Sequence, residues 1–472
     1  MRKQIPDRDV WFLSATELGA RIRAGEVTSV ELTRLYLSRL EHEGRRLNAV
    51  AELTADLAMK QAKAADAEAA HKRFRSPLHG VPFGVKDLFA TAGIPTRWGS
   101  PAHSDQVFPY DATVVKRLRE AGAVLVAKLA MVELAGGGGY ETPGASITGP
   151  GLCPWNADRW SGGSSSGSGA AVGAGAVGFA LGTETWGSIT VPAAFCGVSG
   201  LRPTYARVSR HGAMALCWTM DKVGALCRSA EDCGHVLAII GGHDPNDATS
   251  APGKFAFRAR AATSSAARPV RLGILPQNYR KSPDAKRLFD AAVAVFRGLG
   301  FHTAPAKYPA GIPYDAAANA IVTAEGSAAF ENLIRSEKLA LLADPSQQAG
   351  LLSGLAMPAA DYLRALRIRT QALKALNTLW TRFDALIAPT LLTPAIPANA
   401  NMNTLDVPWG GNGGPGNLAG WPSISVPMGF TANEHLPLGL EIIGKPFAEQ
   451  TILSIAMAWQ KHTSFHRQHP AI

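Results

Sequence analysis

A run of glycine and serine in the first half of the chain constrains its fold more than any other feature. Residues 161–169 contain five serines and four glycines, a composition that in isolation is typical of a flexible linker. The segments on either side are apolar, however, and a long solvated linker fits badly between buried elements. We therefore interpret the run as a loop within a folded unit, followed at 170–179 by a small-residue helix that can approach a sheet closely.

The composition supports a folded chain. Apolar residues make up 46% of the 472 residues and charged residues 18%, which is enough for a sizeable core and excludes wholesale disorder. No stretch reaches the roughly 18 apolar residues of a membrane-spanning helix. The first ten residues contain two acids and no apolar core, so we expect no secretory leader and a cytoplasmic location.

Charge and cysteine content exclude further classes of protein. The net charge is +10, but the basic clusters are short and scattered, whereas a nucleic-acid footprint needs a clustered stripe. We therefore expect neither a nucleic-acid partner nor a membrane partner. The five cysteines are odd in number and have no C-x-x-C spacing, which disfavours a disulfide framework or a structural zinc site.

Short helical and extended patterns alternate along the chain, which favours a mixed α/β architecture. Ser14 and Thr28 each begin a capping box, the sequence signature of a helix start. The predicted strands are 81–85, 124–128, 270–275, 385–389 and 423–428; the predicted helices lie within 14–70 and at 111–121, 170–179, 284–298, 315–335 and 359–383; and loops are predicted at 136–169 and 244–268.

Common site motifs do not account for the glycines and serines. No lysine follows them as a Walker loop requires, and the G-x-G-x-x-G at 173–178 lies inside an Ala-rich helical run instead of a strand-to-helix turn. The G-x-S-x-G at 163–167 has no apolar strand before it. The histidines at 462, 466 and 469 lie in a charged C-terminal segment and are interpreted as surface residues rather than metal ligands.

One lysine stands out at the end of an apolar stretch. Lys86 closes the sequence GVPFGVK at 80–86. Its aliphatic stem could simply carry the ammonium group to solvent. Alternatively, burial lowers the pKa of the amine, so that its neutral form can act as a base.

These features together resemble the amidase signature family of Ser-cisSer-Lys amidohydrolases. The similar segments are 80–100 with its VKD, 162–169 like the family's GGSSGG loop, 182–204 (GTETWGSITVPAAFCGVSGLRPT), 389–397 (PTLLTPAIP), 417–430 (NLAGWPSISVPMGF) and 437–447 (PLGLEIIGKPF). They span nearly the whole chain in order. The resemblance implies a single large α/β domain over 1–472, with a mixed twisted β-sheet core covered by helices on both sides. Its expected parts are a helical segment at 1–70, a catalytic core at 71–240, a helical variable region at 241–384 and a return to the core sheet at 385–472.

The resemblance also implies roles for individual residues. Ser188 would be the nucleophile, Ser164 the bridging serine with a cis peptide bond to Gly163, and Lys86 the base. A serine hydroxyl is a weak nucleophile at neutral pH and needs such a base. No metal and no organic cofactor is implied. The residues expected to hold the oxyanion or the substrate are Thr185, Trp186, Gly187, Gly138, Gly139, Tyr140 and Ser165.

Two departures from the family pattern shape the expected substrate. Trp186 stands where the family has a glycine, and Ser166 replaces a glycine of the loop. Trp186, Tyr140 and the glycines at 136–139 would form a roomy aromatic pocket for aryl or bulky hydrophobic amides, with possible ester and carbamate hydrolysis. An equally good interpretation is that those glycines serve merely to permit tight turns.

Three functions remain open on this basis. The favoured one is a free-standing hydrolase of linear amides that takes a small-molecule substrate and works as a monomer or homodimer. The second is an amidotransferase subunit that releases ammonia from glutamine in a tRNA-linked complex. The third, a non-catalytic binding protein of the same fold, is weakened because Lys86, Ser164 and Ser188 are all present.

Overall fold

The structure is a computed structural model that describes residues 10–265, 267, 269–410 and 413–471. The sequence-based expectation about a secretory leader concerns residues that lie almost entirely outside these ranges. Within them, none of the helices is long and apolar enough to cross a membrane.

Most of the strands join in one mixed sheet, which in the described residues has eleven strands. The strands are β1 (Val50–Leu53), β2 (Pro82–Lys86), β3 (Val124–Leu129), β4 (Leu152–Cys153), β5 (Asn156–Trp160), β6 (Phe179–Glu184), β7 (Ser199–Arg202), β8 (Lys222–Cys227), β9 (Arg271–Ile274), β10 (His302–Pro305), β11 (Ala385–Pro389), β12 (Ser423–Phe430) and β13 (Pro437–Gly444). Their order in the sheet is β1-β3-β2-β6-β8-β7-β12-β13-β11-β9-β10, and β4 and β5 form a separate antiparallel pair.

Helices cover this sheet. They are α1 (Ala15–Ala24), α2 (Ser29–Arg39), α3 (Ala55–Ala70), α4 (Thr113–Glu120), α5 (Ser166–Gly173), α6 (Thr190–Cys196), α7 (Ala230–Ile240), α8 (Pro283–Gly298), α9 (Tyr314–Ala329), α10 (Glu331–Ile334), α11 (Pro345–Leu355), α12 (Ala359–Leu376), α13 (Gly413–Leu418) and α14 (Glu449–His462). The capping boxes at Ser14 and Thr28 are confirmed, because each side chain accepts from the backbone of the glutamate three residues later.

The centre of the sheet is buried on both faces. Strand β2 lies parallel to β3 and β6, whereas β6, β8, β7, β12, β13 and β11 follow one another antiparallel. Every residue of β2, β3, β6, β8, β12 and β13 is buried, as expected when helices cover both sides of a sheet. The single-domain α/β fold with a mixed sheet is therefore confirmed.

Several element predictions are wrong in detail around the glycine–serine run. The helix predicted at 170–179 begins earlier, as α5, and ends at Gly173; residues 174–178 form a turn that leads into β6. Residues 166–169 are small and fully buried, so tertiary packing overrides their low helix propensity. The segment 136–169, predicted as loop, also contains the β4–β5 pair, and β1 lies within the segment predicted as helical at 14–70.

Candidate active site

Lys86 is the last residue of β2, beside the parallel strand β6. Parallel neighbours end at the same edge of a sheet, so Lys86 lies close to Thr183 near the end of β6. The Lys86 Nζ donates to Ser164 Oγ at 2.7 Å and to Thr183 Oγ1 at 3.0 Å. The side chain is completely buried. It therefore does not extend to solvent.

The surroundings of Lys86 favour its neutral form. Burial lowers the pKa of Lys86 to about 7, although the carboxylates of Asp221 and Glu184 oppose the change. In the part of the chain that the structure describes, no carboxylate lies within 4 Å of Lys86, whereas the equally buried Lys128 is 3.2 Å from Asp87. At pH 7 about half of an amine with this pKa is a free base, and the share rises above that pH.

Ser164 sits in the loop before α5, where the Gly163–Ser164 peptide bond is cis, as the family resemblance implies. The Ser164 carbonyl accepts from Val132 N–H at 3.0 Å. Gly163 packs so closely on Trp160 that a Cβ there would lie 2.6 Å from its ring. Packing therefore requires a glycine at position 163.

The loop at 185–188, here called the serine turn, connects β6 to α6. Ser188 is largely buried, and its carbonyl accepts from Ser165 N–H at 3.2 Å. Gly187 has φ +85°, a conformation that favours glycine. Among the described residues, nothing accepts a hydrogen bond from the backbone N–H groups of 186–188. Within the described ranges, these donors are therefore available to an oxyanion.

Ser165 links the serine turn to β6. Its hydroxyl contacts both backbone groups of Thr183, donating to the carbonyl at 3.2 Å and lying 3.3 Å from the N–H. Thr185 donates to Asp221 Oδ1 at 2.5 Å, and the Asp221 carboxylate also accepts from the N–H groups of Leu216 and Cys217. The serine turn is thereby fixed at its first residue.

A buried ion pair between Glu184 and Arg202 lies next to the serine turn. The Glu184 carboxylate accepts from Arg202 Nη1 at 2.7 Å and from the N–H groups of Ile189 and Thr190 at 2.9 and 3.0 Å. Burial raises the pKa of Glu184, but the Arg202 and Lys222 cations outweigh it and bring the value to about 2. Sequence inspection missed this pair, because its two residues lie 18 positions apart and no local motif joins them.

The residues predicted to line a substrate pocket occupy different settings. Gly138 packs on α11, where a Cβ would lie 2.4 Å from the Gln347 carbonyl oxygen, whereas no atom of the described residues lies within 4 Å of a Cβ at Gly139. Tyr140 meets Trp160 edge-on at 6.2 Å between centroids, and burial raises its pKa to about 12. Trp186 packs against α13, because a Cβ at Gly413 would lie 2.6 Å from the indole Nε1.

A cavity of about 230 Å³ adjoins this cluster. Thr183, Thr185, Asp221 and Lys222 line it near the serine turn, and Trp218 is among its other lining residues. Burial lowers the pKa of Lys222 to about 7. Within the described ranges, no group of three or more His, Cys, Asp or Glu side chains is placed to hold a metal ion.

The chain is similar to known proteins over most of its length. A family model described as Amidase matches residues 31–453. A glutamyl-tRNA(Gln) amidotransferase subunit of Chloroflexus aurantiacus is 37% identical over 98% of this chain and 99% of its own length. Among solved structures, the peptide amidase of Stenotrophomonas maltophilia has a TM-score of 0.81 at 31% identity, covering 95% of this chain and 96% of its own. The corresponding glutamyl-tRNA(Gln) amidotransferase subunit from Thermotoga maritima has 0.78 at 26%, covering 100% and 99%.

These relatives correct two expectations from the sequence. The preference for a free-standing hydrolase of aryl or bulky amides is wrong, because curated relatives at 34–37% identity over nearly the whole chain are amidotransferase subunits. The expectation of no nucleic-acid association and of a monomer or homodimer is contradicted by the same names, which describe subunits of a tRNA-dependent enzyme.

Proposed function

The chain belongs to the amidase signature family, and we propose that it releases ammonia from the side-chain amide of glutamine as the glutamine-hydrolysing subunit of a glutamyl-tRNA(Gln) amidotransferase. The observation that carries amide cleavage is the fully buried bond between Lys86 Nζ and Ser164 Oγ, which joins a neutral base to a serine beside the serine turn. The choice of glutamine rests on the curated relatives, which align over about 98% of the chain.

The proposed reaction begins with proton transfer. Neutral Lys86 accepts the hydroxyl proton of Ser164 as Ser164 takes the proton of Ser188. The Ser188 oxygen attacks the amide carbon, and the negative charge that develops on the carbonyl oxygen is held by the free N–H groups of the serine turn. Each well-placed donor of this kind is worth roughly 3–4 kcal/mol in the transition state.

The C–N bond then breaks. Lys86 returns its proton through Ser164 to the leaving nitrogen, which departs as ammonia and leaves a γ-glutamyl ester on Ser188. A water molecule attacks this ester and loses a proton to the same relay. Glutamate and the free Ser188 hydroxyl result, so each turnover consumes one glutamine and one water.

The partners in this proposal follow from the relatives' names. Other subunits would accept the ammonia and amidate a glutamyl group attached to tRNA. The net charge of +10 is compatible with an assembly that carries an anionic nucleic acid. The cytoplasmic location expected from the sequence is part of this proposal.

A peptide amide is a second candidate substrate, favoured by one observation. The peptide amidase structure has a higher TM-score and a higher identity to this chain than the solved amidotransferase subunit has. The chemistry of Lys86, Ser164 and Ser188 would be the same, with the terminal amide of a peptide in place of the glutamine side chain.

Ammonia release by the purified chain separates the two substrates. We expect glutamine to be turned over faster than a C-terminally amidated dipeptide. We also expect the chain, mixed with the remaining subunits of the Chloroflexus aurantiacus enzyme, to support glutamine-dependent amidation of glutamyl-tRNA(Gln). Hydrolysis of the dipeptide amide without measurable glutamine turnover, either alone or with those subunits, would overturn the amidotransferase proposal in favour of the peptide amide.

A further inference from the structure

The Glu184 carboxylate contacts the chain on both sides of the serine turn. Glu184 immediately precedes residues 185–188, and its Oε2 accepts from the N–H groups of Ile189 and Thr190, which immediately follow them. Thr190 Oγ1 adds a third contact at 3.2 Å. One carboxylate oxygen thus closes the turn into a small ring of backbone and side chain.

Arg202 anchors this carboxylate to the sheet. Its Nη1 donates to the other oxygen, Oε1, at 2.7 Å, and its Nε donates to the Trp421 carbonyl at 3.0 Å. Arg202 Nη1 also lies 4.0 Å from Glu441 on β13. Both Glu184 and Arg202 are essentially inaccessible to solvent. The position of the turn is therefore tied to strands β7 and β13.

We infer from this geometry that Glu184 is a positioning residue for Ser188, with Arg202 as its anchor. The inference rests on the proposed role of Ser188 as nucleophile. By taking the N–H groups of Ile189 and Thr190, the carboxylate sets the direction of the chain as it leaves Ser188. The N–H groups of 186–188 then remain free to face an oxyanion. A displacement of about 1 Å at such a site costs on the order of a hundredfold in rate.

The chain offers a matched control for this pair. Glu449 is a fully buried carboxylate that accepts from the Thr204 N–H at 3.0 Å and from Arg207 Nη2 at 3.1 Å. As in Glu184, one buried carboxylate accepts hydrogen bonds from a backbone N–H group and from an arginine. Glu449, however, closes no loop that contains Ser188. Replacing either glutamate by glutamine should weaken one buried charge-assisted contact.

The test compares Glu184→Gln with Glu449→Gln. A serine-directed fluorophosphonate first titrates active sites in the unmutated protein, and labelling at Ser188 establishes the nucleophile independently of this inference. We then expect kcat for ammonia release from glutamine, per folded molecule, to fall about a hundredfold in Glu184→Gln. The KM for glutamine should change less than about threefold. The phosphonylation rate constant should fall in parallel. Glu449→Gln should lower the unfolding midpoint and leave kcat per folded molecule within about twofold.

Two further variants keep the inference falsifiable if Glu184→Gln does not fold. Glu184→Asp keeps the charge but is one methylene shorter, and Arg202→Lys keeps the anchoring charge without the second donor. Both should have a lower kcat than the unmutated protein at nearly constant KM, and where Glu184→Gln folds they should lie between the two. Unchanged kcat in these folded variants, or equal kcat losses in Glu184→Gln and Glu449→Gln, would show that Glu184 serves stability only.

Discussion

Replacing Lys86 by methionine should stabilise the protein at low pH, although it removes the base of the proposed relay. Burial lowers the pKa of Lys86 from 10.5 to about 7, and a shift of this size corresponds to about 5 kcal/mol of free energy. The unfolded chain binds a proton more readily than the folded one between these two values, so stability rises with pH across that interval. Below about pH 7 the unmutated protein bears the whole cost of burying the ammonium group.

The magnitude for the variant follows from this linkage. At pH 6 the cost that methionine removes is about 5 kcal/mol, and at pH 9 it has fallen to about 2 kcal/mol. Methionine also loses the bonds to Ser164 and Thr183, at about 1 kcal/mol each. The net gain is thus about 3 kcal/mol at pH 6 and close to zero at pH 9.

Urea unfolding of both proteins at the two pH values measures this difference without any substrate. Lys128→Met is the matched control, because Lys128 is equally buried but is 3.2 Å from Asp87; its loss leaves a buried carboxylate unpaired and should destabilise at both pH values. The same change in unfolding free energy for Lys86→Met at pH 6 and pH 9 would refute the lowered pKa and, with it, the lysine base.

Three further predictions concern catalysis and the serine turn. The kcat/KM for glutamine should rise about tenfold per pH unit below pH 7 and level off above it, because only neutral Lys86 accepts a proton; a flat profile from pH 5 to 8 would contradict this. Ser188→Ala should remove ammonia release while leaving the unfolding midpoint nearly unchanged, and residual turnover above about 1% would point to another nucleophile. Gly187→Ala should slow fluorophosphonate labelling and lower the unfolding midpoint by a few degrees, since Gly187 has φ +85° and its Cβ would lie 3.1 Å from the Val191 side chain; unchanged labelling would mean that the turn tolerates a side chain there.

The candidate residues of the site could be named from the sequence because each lies in a contiguous segment of recognisable pattern. Lys86, Ser164 and Ser188 each lie in a motif with glycines or apolar residues around it, and the structure brings Lys86 and Ser164 within hydrogen-bond distance. Glu184 and Arg202 meet only because β6, β8 and β7 are neighbours in the sheet. No local pattern carries that pairing, so sequence inspection could not find it.

The failure to predict two central strands also has a physical cause. The sequence does not predict strands β7 and β8, because β7 (SGLR) has a single large apolar residue and glycine interrupts β8 (KVGALC). Neither segment shows the continuous apolar run by which a fully buried strand such as β3 is recognised. The preference for aryl substrates failed for another reason. It was inferred from aromatic residues and glycines near the serine turn, whereas the relatives that overturn it are amidotransferase subunits. The contact of the Trp186 indole with Gly413 of α13 joins residues far apart in the chain, so the sequence could not predict it.

Trapping the acyl-enzyme tests the central proposal most directly. The protein is quenched in acid during glutamine turnover, digested, and its peptides are sequenced by mass spectrometry. The account predicts a γ-glutamyl group esterified to Ser188, and its absence from the Ser188→Ala variant. A γ-glutamyl group on Ser164 or Ser165 instead, or glutamine turnover with no acylated serine, would contradict the proposed roles of Lys86, Ser164 and Ser188.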